Sequence, residues 1–85
     1  MYEVYLERAA ENDLKRLPTT TFHRNISQIR ALAENPRPSG CRKLAGSKND
    51  WRIRIGDHRV LYEIDEKVRA VRIMRVRHRR EVYRR

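Results

Sequence analysis

Residues 51–83 constrain the fold more than any other part of this sequence, because they predict two consecutive β-hairpins. Residues 51–55 alternate apolar and basic side chains, and residues 56–57, Gly-Asp, supply a two-residue turn that tolerates positive φ. Residues 59–64 return as a strand rich in β-branched and aromatic side chains, and a second turn near residues 66–67 leads into a third strand. The pattern predicts a three-stranded antiparallel sheet.

If each hairpin loop holds two residues, the alternation of side chains also predicts which of them share a face of the sheet. One face is predicted to be a core in which apolar pairs meet: Ile53 with Val60, Trp51 with Tyr62, Tyr62 with Val71, and Val60 with Ile73. The opposite face is predicted to carry Arg52, Arg54, Arg59 and Arg72, with Leu61 and Met74 among them. The sheet is therefore expected to have one apolar face and one basic face.

The basic face is unfavourable for stability alone. Arg54 is predicted to lie directly across from Arg59, and like charges that face each other in an antiparallel pair cost up to about 1 kcal/mol. Such a cluster is well suited to holding phosphates. The alternative, a solvated basic face whose repulsion is relieved by Glu63, Asp57 or Asp65, is equally compatible with the pattern.

The first part of the chain predicts one strand and two helices. Residues 2–6 alternate enough for a strand. The first helix has an apolar stripe formed by Leu6, Ala10, Leu14 and Leu17, and Pro18 ends it. Residues 19–21, all threonine, offer N-cap hydroxyls to a second helix, whose stripe is Phe22, Ile26, Ile29 and Ala33.

The elements together predict the fold class. The two helices form a hairpin that needs an apolar surface, and the sheet offers one. Residues 36–50, which hold two prolines and two glycines, are predicted to be a loop. Residues 1–85 are thus expected to form a single α+β domain: an N-terminal strand, a helical hairpin, and a three-stranded antiparallel sheet packed on the helices.

The charge of the chain indicates a polyanionic partner. Residues 1–40 hold 6 Lys and Arg against 5 Asp and Glu, whereas residues 41–85 hold 15 against 6, so the net charge of +10 divides into +1 and +9. Nucleic acid is favoured over an anionic membrane, because no basic amphipathic helix is evident. Lys43, in the predicted loop, extends the basic surface, although such charges are often only solvated.

Several classes of site and location are not expected. Cys41 is the only cysteine, which excludes an intramolecular disulfide and a CxxC motif, and no Gly-rich phosphate loop or pattern of metal ligands is present. We therefore expect neither a cofactor nor a metal. No apolar run is long enough for a signal peptide or a membrane span, so a cytoplasmic protein that does not contact membranes is the default expectation.

Metal-free cleavage of RNA is compatible with the residues present, since RNA supplies its own nucleophile in the 2′-hydroxyl group. Arginines can stabilise the extra charge on the scissile phosphate, and histidine or tyrosine can transfer a proton. Arg59, Arg77, His78 and Tyr83 would suffice for this chemistry. Two alternatives remain open: Tyr83 stacks on a base, or the basic ending RHRREVYRR is only a solvated tail.

Three segments together resemble the RelE/ParE superfamily of toxins from toxin–antitoxin pairs: LAENPRPSGCRKLAG, WRIRIGDHRVLYEID and RVRHRREVYRR, which with their spacing span nearly the whole chain. The resemblance implies the same fold as above. It also implies a toxin of a type II system that cleaves messenger RNA in the ribosomal A site, with the ribosome, messenger RNA and a cognate antitoxin as partners.

The resemblance also implies roles for individual residues. Arg59 matches the family's hairpin arginine, Arg77 the arginine near its carboxyl end and Tyr83 its terminal tyrosine, and we expect these residues to be catalytic. Arg52 and Arg54 match basic sites of the family's first central strand and are expected to bind RNA; the same role is expected, without a family match, for Lys43 and Arg79. Arg52 and Arg54 replace lysines of the best-known members, and because arginine effectively never deprotonates, they can bind but not act as bases. Proton transfer then falls to His78 or Tyr83.

Two other functions are compatible with the sequence. A ParE-like member of the same superfamily would inhibit DNA gyrase and would not need the arginine and tyrosine constellation. A non-catalytic RNA-binding or ribosome-binding module would use the same arginines only to hold phosphates, and it would show salt-sensitive binding with intact RNA.

Overall fold

The computed structural model describes residues 1–82, and within them it has a five-stranded mixed sheet and three helices. The strands are β1 (Glu3–Leu6), β2 (Arg42–Lys43), β3 (Asp50–Ile55), β4 (His58–Asp65) and β5 (Ala70–His78). The helices are α1 (Arg8–Lys15), α2 (Thr19–Ala31) and α3 (Arg79–Val82). The strand order is β1-β5-β4-β3-β2, with β1 parallel to β5 and the other pairs antiparallel. The α+β prediction is confirmed, and β1 and β2 extend the three central strands.

The first hairpin has the predicted register. Ile53 pairs with Val60, Arg54 pairs with Arg59, and the two-residue turn places Gly56 at a φ of 61°. Glycine adopts positive φ without steric cost, which explains why this turn could be recognised from the sequence.

The second hairpin differs from the prediction for two reasons: its loop is longer than two residues, which changes the partner of Tyr62, and β5 contains an extra residue, which changes the pairs beyond it. Tyr62 pairs with Ile73 rather than Val71, and Val60 pairs with Val76 rather than Ile73. The register shifts between Leu61 and Tyr62, where Met74 in β5 has no partner, so the irregularity is a β-bulge. A bulge reverses the alternation of side chains for the rest of its strand.

The turn of the second hairpin is also longer than two residues. The first part of this loop is held by Asp65 at the end of β4. Its Oδ1 accepts hydrogen bonds from the backbone N–H groups of Lys67 and Val68 at 3.0 and 3.4 Å. Arg69 completes the turn with a φ of 54° before β5 begins. The pairing of β4 with β5 is thus fixed by a side chain of β4 as well as by the strands.

Both helices pack on one face of the sheet, as predicted. The buried apolar side chains are Ala10, Leu14, Ile29, Leu32, Ile53, Ile55, Val60, Tyr62, Ile64, Ala70, Val71, Ile73 and Val76. Leu6 was expected in the first helical stripe, but it belongs to β1 and is 40% exposed. α2 starts after Pro18 with no side-chain cap, so the expected capping by a threonine hydroxyl is not present.

Residues 36–50 are more ordered than the predicted loop, because they contain β2 and are tied to the sheet. The Tyr62 hydroxyl donates a hydrogen bond of 2.7 Å to the carbonyl oxygen of Pro36 inside the core. The Leu44 N–H donates to the carbonyl of Asp50 at 2.8 Å. These contacts bring β2 against β3 and so place Arg42 next to the basic face.

None of the helices described within residues 1–82 is long and apolar enough to cross a membrane.

Candidate functional site

Three arginines lie side by side across the face of the sheet that is opposite the helices. Arg54 on β3 pairs with Arg59 on β4, and Arg59 pairs in turn with Arg77 on β5. Side chains at paired positions project from the same face. We call Arg54, Arg59 and Arg77 the arginine row; each strand of the antiparallel centre contributes one member.

A small pocket lies at the β3 end of this row. Its volume is about 150 Å³, and it is lined by Gly40, Arg42, Arg52, Arg54 and Arg59. Four guanidinium groups around one cavity concentrate positive charge where a planar, bidentate donor can meet phosphate oxygens. The sequence-based grouping of Arg52, Arg54 and Arg59 on one face is therefore reproduced by the structure.

Arg42 joins this pocket, although the sequence analysis selected its neighbour Lys43. In β2, Arg42 pairs with Arg52 of the basic face, whereas Lys43 pairs with Trp51, which belongs to the opposite face. Strand alternation would have distinguished the two residues, but only if β2 had been predicted as a strand. The structure places Lys43 outside the arginine pocket.

Arg72 was expected on the basic face with the other arginines, yet its charge is neutralised there. Its Nη1 lies 3.2 Å from Glu63 Oε1 and 3.4 Å from Asp65 Oδ2. The hydrogen bond to Glu63 is the main cause that raises the pKa of Arg72. Because the longer second turn pairs Arg72 with Glu63, Arg72 lies near that turn and away from the arginine row.

Arg77 on β5 is held in place by Glu81 of α3, the helix that follows this strand. Its Nε lies 3.8 Å from Glu81 Oε1 on α3, and this Nε is buried with no hydrogen-bond partner among the described residues. A buried guanidinium N–H without an acceptor favours an incoming anion. Arg59 and Arg77, both predicted as catalytic, are thus brought together by the structure.

His78, the third predicted catalytic residue, lies on the other side of the sheet. Its ring contacts that of His58 edge-on, with centroids 5.2 Å apart, and both rings line cavities formed with α1 and α2. Its Nδ1 accepts a hydrogen bond from the Arg80 N–H at 3.1 Å. His78 lies on this side of the sheet because the bulge at Met74 reverses the alternation of β5, so that Arg77 faces outward and His78 faces the helices.

The pKa of His58 is lowered, first by burial and then by the nearby His78. A second positive charge would be unfavourable in this contact. The two histidines lie on the face of the sheet opposite the arginine row, so they form a separate feature of the molecule.

The remaining predicted residues lie at or beyond the end of β5. Arg79 begins α3 with an exposed side chain, and its N–H donates a hydrogen bond of 2.7 Å to the carbonyl of Asp57 in the first hairpin turn. Tyr83 lies outside the described residues. Its proximity to Arg59 and Arg77 therefore stays a prediction.

The arrangement can bind and stabilise a phosphodiester, but the arginines cannot remove a proton. Within residues 1–82, no group of three or more His, Cys, Asp or Glu side chains could hold a metal ion. The chemistry that these residues offer is the binding of phosphate and the stabilisation of additional negative charge on it.

Comparisons with known proteins identify relatives of this chain. A family model described as the ParE toxin of the type II toxin–antitoxin system parDE matches residues 4–83. No curated protein sequence matches the chain.

Solved structures share the fold. The chain is similar to the archaeal RelE–RelB complex from Pyrococcus horikoshii OT3, at 26% identity and a TM-score of 0.82 over 92% of this chain and 94% of that chain. It is similar to the toxin–antitoxin complex RelBE2 from Mycobacterium tuberculosis, at 28% identity and a TM-score of 0.81 over 91% and 96%. The isolated E. coli RelE toxin, at 19% identity over 92% and 84%, has a TM-score of 0.80 and shows the likeness of the fold alone.

Proposed function

The chain belongs to the ParE toxin family of type II toxin–antitoxin systems, and we propose that this toxin is a ribosome-dependent endoribonuclease that cleaves messenger RNA in the A site. The observation that carries the proposal is the arginine row with its pocket, in which five arginines from four strands lie on one face. A gyrase inhibitor or a simple fold scaffold has no need for this concentration of like charge.

In the proposed reaction the 2′-oxygen of the nucleotide before the scissile bond attacks the phosphorus, and the 5′-oxygen of the next nucleotide leaves. Arg59 and Arg77 stabilise the negative charge that develops on the phosphate oxygens, while Arg52 and Arg54 hold the backbone of the messenger. One proton leaves the 2′-hydroxyl group and one is delivered to the 5′-oxygen. The protein's candidate for this transfer is Tyr83, because His78 lies on the opposite face of the sheet.

The proposed protein partner is a cognate antitoxin. The similar structures from Pyrococcus horikoshii and Mycobacterium tuberculosis are both toxin–antitoxin complexes. Residues 41–85 of this chain carry 15 Lys and Arg against 6 Asp and Glu, which favours an acidic inhibitor that covers the arginine row. A purified cognate complex in which Arg59 stays open to solvent would contradict this part of the proposal.

The test is primer extension on a defined messenger in purified 70S complexes. Arg59→Ala is expected to reduce cleavage at the A-site codon by about 10²-fold or more, the usual loss when one donor to a developing charge is removed. Tyr83→Phe is expected to reduce it as well. Arg30→Ala is the matched control, because Arg30 is an exposed arginine on α2, on the far side of the sheet, and its loss should leave cleavage unchanged.

A gyrase supercoiling assay with the same preparations tests the second candidate function, which the match to the ParE family model favours. Intact messenger together with inhibited gyrase would establish the gyrase inhibitor and refute the ribonuclease. Salt-sensitive ribosome binding with intact messenger and active gyrase would instead establish a non-catalytic RNA-binding module.

A further inference from the structure

A second cavity lies between α2 and the turn of the first hairpin, on the helix-facing side of the sheet. Its volume is about 320 Å³, roughly twice that of the arginine pocket, and the proposed cleavage does not use it. It is lined by Thr20, Thr21, Arg24, Asn25, Ile55, Gly56, Asp57, His58 and His78. We call it the hairpin cavity.

One end of the hairpin cavity is suited to an anion. α2 begins after Pro18 without a side-chain cap, so the backbone N–H groups of its first turn, at residues 19–21, have no acceptor in the helix. Arg24 lines the same cavity, and its guanidinium lies against the hairpin turn: a Cβ placed on Gly56 would be 3.2 Å from Arg24 Nη1. Free amides at the positive end of a helix, next to an arginine, form a phosphate site.

One residue that lines the cavity carries a buried acceptor that lacks a donor among residues 1–82. Asn25 is fully buried, and its Nδ2 donates a hydrogen bond of 2.9 Å to the carbonyl of Thr21, which fixes the orientation of the amide. The Oδ1 atom has no hydrogen-bond partner among residues 1–82. An unsatisfied buried acceptor is unfavourable. A ligand that supplies an N–H or O–H group to this atom would therefore bind favourably.

The remaining wall of the cavity contains two imidazole rings set almost at right angles to each other. His58 and His78 contact each other at an interplanar angle of 85°, and the buried side chain of Ile55 lies beside them. A planar heterocycle can stack on an imidazole ring in this position. Asp57 also lines the cavity, so its negative charge disfavours a phosphate at this end, and a carboxylate can accept a hydrogen bond from a base.

We propose that the hairpin cavity binds one nucleotide unit. The phosphate contacts Arg24 and the first turn of α2, the base lies against the two histidines, and an N–H group of the base donates to Asn25 Oδ1. A volume of about 320 Å³ is at the small end of the range for ligand pockets, which suits a single nucleotide. The unit is either a free mononucleotide or one nucleotide extruded from an RNA chain.

The test uses amide chemical shifts of the ¹⁵N-labelled full-length chain during titration with AMP, GMP, CMP, UMP and, separately, inorganic phosphate. At least one nucleotide is expected to shift the amides of Thr20, Thr21 and Gly56 and the side-chain amide of Asn25, in a saturable manner. The affinity for that nucleotide is expected to be about tenfold or more above that for inorganic phosphate, since the base adds contacts.

Two variants separate the ends of the site. Arg24→Ala, a change on the exposed surface, is expected to weaken nucleotide binding about tenfold or more, whereas the control Arg30→Ala on the same helix leaves it unchanged. Asn25→Leu is expected to lose the preference among the four nucleotides while the phosphate end still binds. If Asn25→Leu does not fold, Arg24→Ala and its control Arg30→Ala still test whether the hairpin cavity binds the nucleotide.

A short single-stranded RNA distinguishes the two sources of the nucleotide. Tighter binding of the oligomer at the same amides, weakened by Arg24→Ala, indicates RNA; tighter binding of the mononucleotide indicates a free ligand. The proposal is refuted if millimolar nucleotide leaves these amides unmoved, if inorganic phosphate shifts them equally well, or if shifts appear only at Arg52, Arg54 and Arg59. No ribosome is present in this assay, so its outcome is independent of the proposed cleavage.

Discussion

At the scale of single residues, Tyr62 joins the sheet to the chain that leaves α2. It is the largest fully buried side chain among the described residues, and its hydroxyl donates a hydrogen bond of 2.7 Å to the Pro36 carbonyl. Burial raises the pKa of this hydroxyl strongly, and the neighbouring Cys41 adds to the effect. The side chain therefore stays neutral and acts as a donor throughout the physiological range.

Tyr62→Phe is expected to lower the free energy of unfolding by about 1–3 kcal/mol, because the Pro36 carbonyl would be left buried without a donor. Urea denaturation followed by circular dichroism measures the loss. The control is Tyr5→Phe: Tyr5 is 51% exposed and its hydroxyl contacts Glu3 at the surface, so stability should change little. Equal effects of the two substitutions would show that the buried hydrogen bond contributes nothing.

At the scale of secondary-structure elements, the two hairpins differ in how far the sequence predicts them. The Gly-Asp turn sets the register of the first, so the pairing of Arg54 with Arg59 could be predicted correctly from the sequence. The bulge at Met74 could not, because it depends on how two strands pair and leaves no local signal. Strict alternation would place Arg77 on the core side and His78 with the arginines, which is the reverse of what the structure has.

Local sequence patterns could not predict β2 or the pairing of β1 with β5 either. β2 is two residues long and lies within a segment rich in proline and glycine. Its pairing with β3 places Arg42, and not Lys43, on the basic face. The parallel pairing of β1 with β5 joins residues more than sixty positions apart. The chemistry of its residue type and the family resemblance both grouped Arg77 with Arg59, but strand alternation did not predict that the two share a face.

β5 extends beyond the end of β1, and α1 covers the edge that is left. The Asp13 carboxylate accepts hydrogen bonds from the Val76 N–H at 2.9 Å and from Arg75 Nε and Nη2 at 2.9 and 3.1 Å. Burial acts to raise the pKa of Asp13, but the hydrogen bonds from Arg75 and Val76 outweigh it, and the pKa is lowered overall. The ionised carboxylate is thus the form that stabilises the fold.

A lowered pKa in the folded state means that this stabilisation is complete above the ordinary pKa of 3.8 and is lost as the pH falls through the folded value. Asp13→Asn is expected to be less stable than the natural chain at pH 7, with a smaller further loss between about pH 5 and pH 2. Urea unfolding at several pH values measures the difference. Glu11→Gln, an exposed change on the same helix, is the control, and a parallel pH dependence in Asp13→Asn and the natural chain would contradict the assignment.

At the scale of the whole molecule, the charge is divided between the two sides of the sheet. The arginine row and pocket lie on the outer face, while the opposite face is covered by helices in the part of the chain whose net charge is close to zero. The field of the molecule is therefore expected to steer a long polyanion first toward the outer face of the sheet.

Binding of a single-stranded RNA is expected to weaken steeply with salt, because each phosphate contact releases counterions. Arg52→Ala should reduce the slope of log affinity against log salt concentration by about 0.7, the value for one phosphate contact on a single strand. Fluorescence anisotropy at a series of salt concentrations measures the slope, with Arg30→Ala as the control. An unchanged slope for Arg52→Ala would show that this arginine does not contact phosphate.

The extra residue in β5 makes the length of that strand matter as much as its composition. A substitution of Met74 leaves every later side chain on its present side, and removal of Met74 would convert the bulge into regular pairing with Arg77 still opposite Arg59. Removal of a second residue between Ile73 and Arg77 would carry Arg77 toward the helices and bring His78 out beside Arg59. In an alignment of relatives, a gap of one at this place would therefore leave the set of cations on the outer surface intact, whereas a gap of two would signify a changed set.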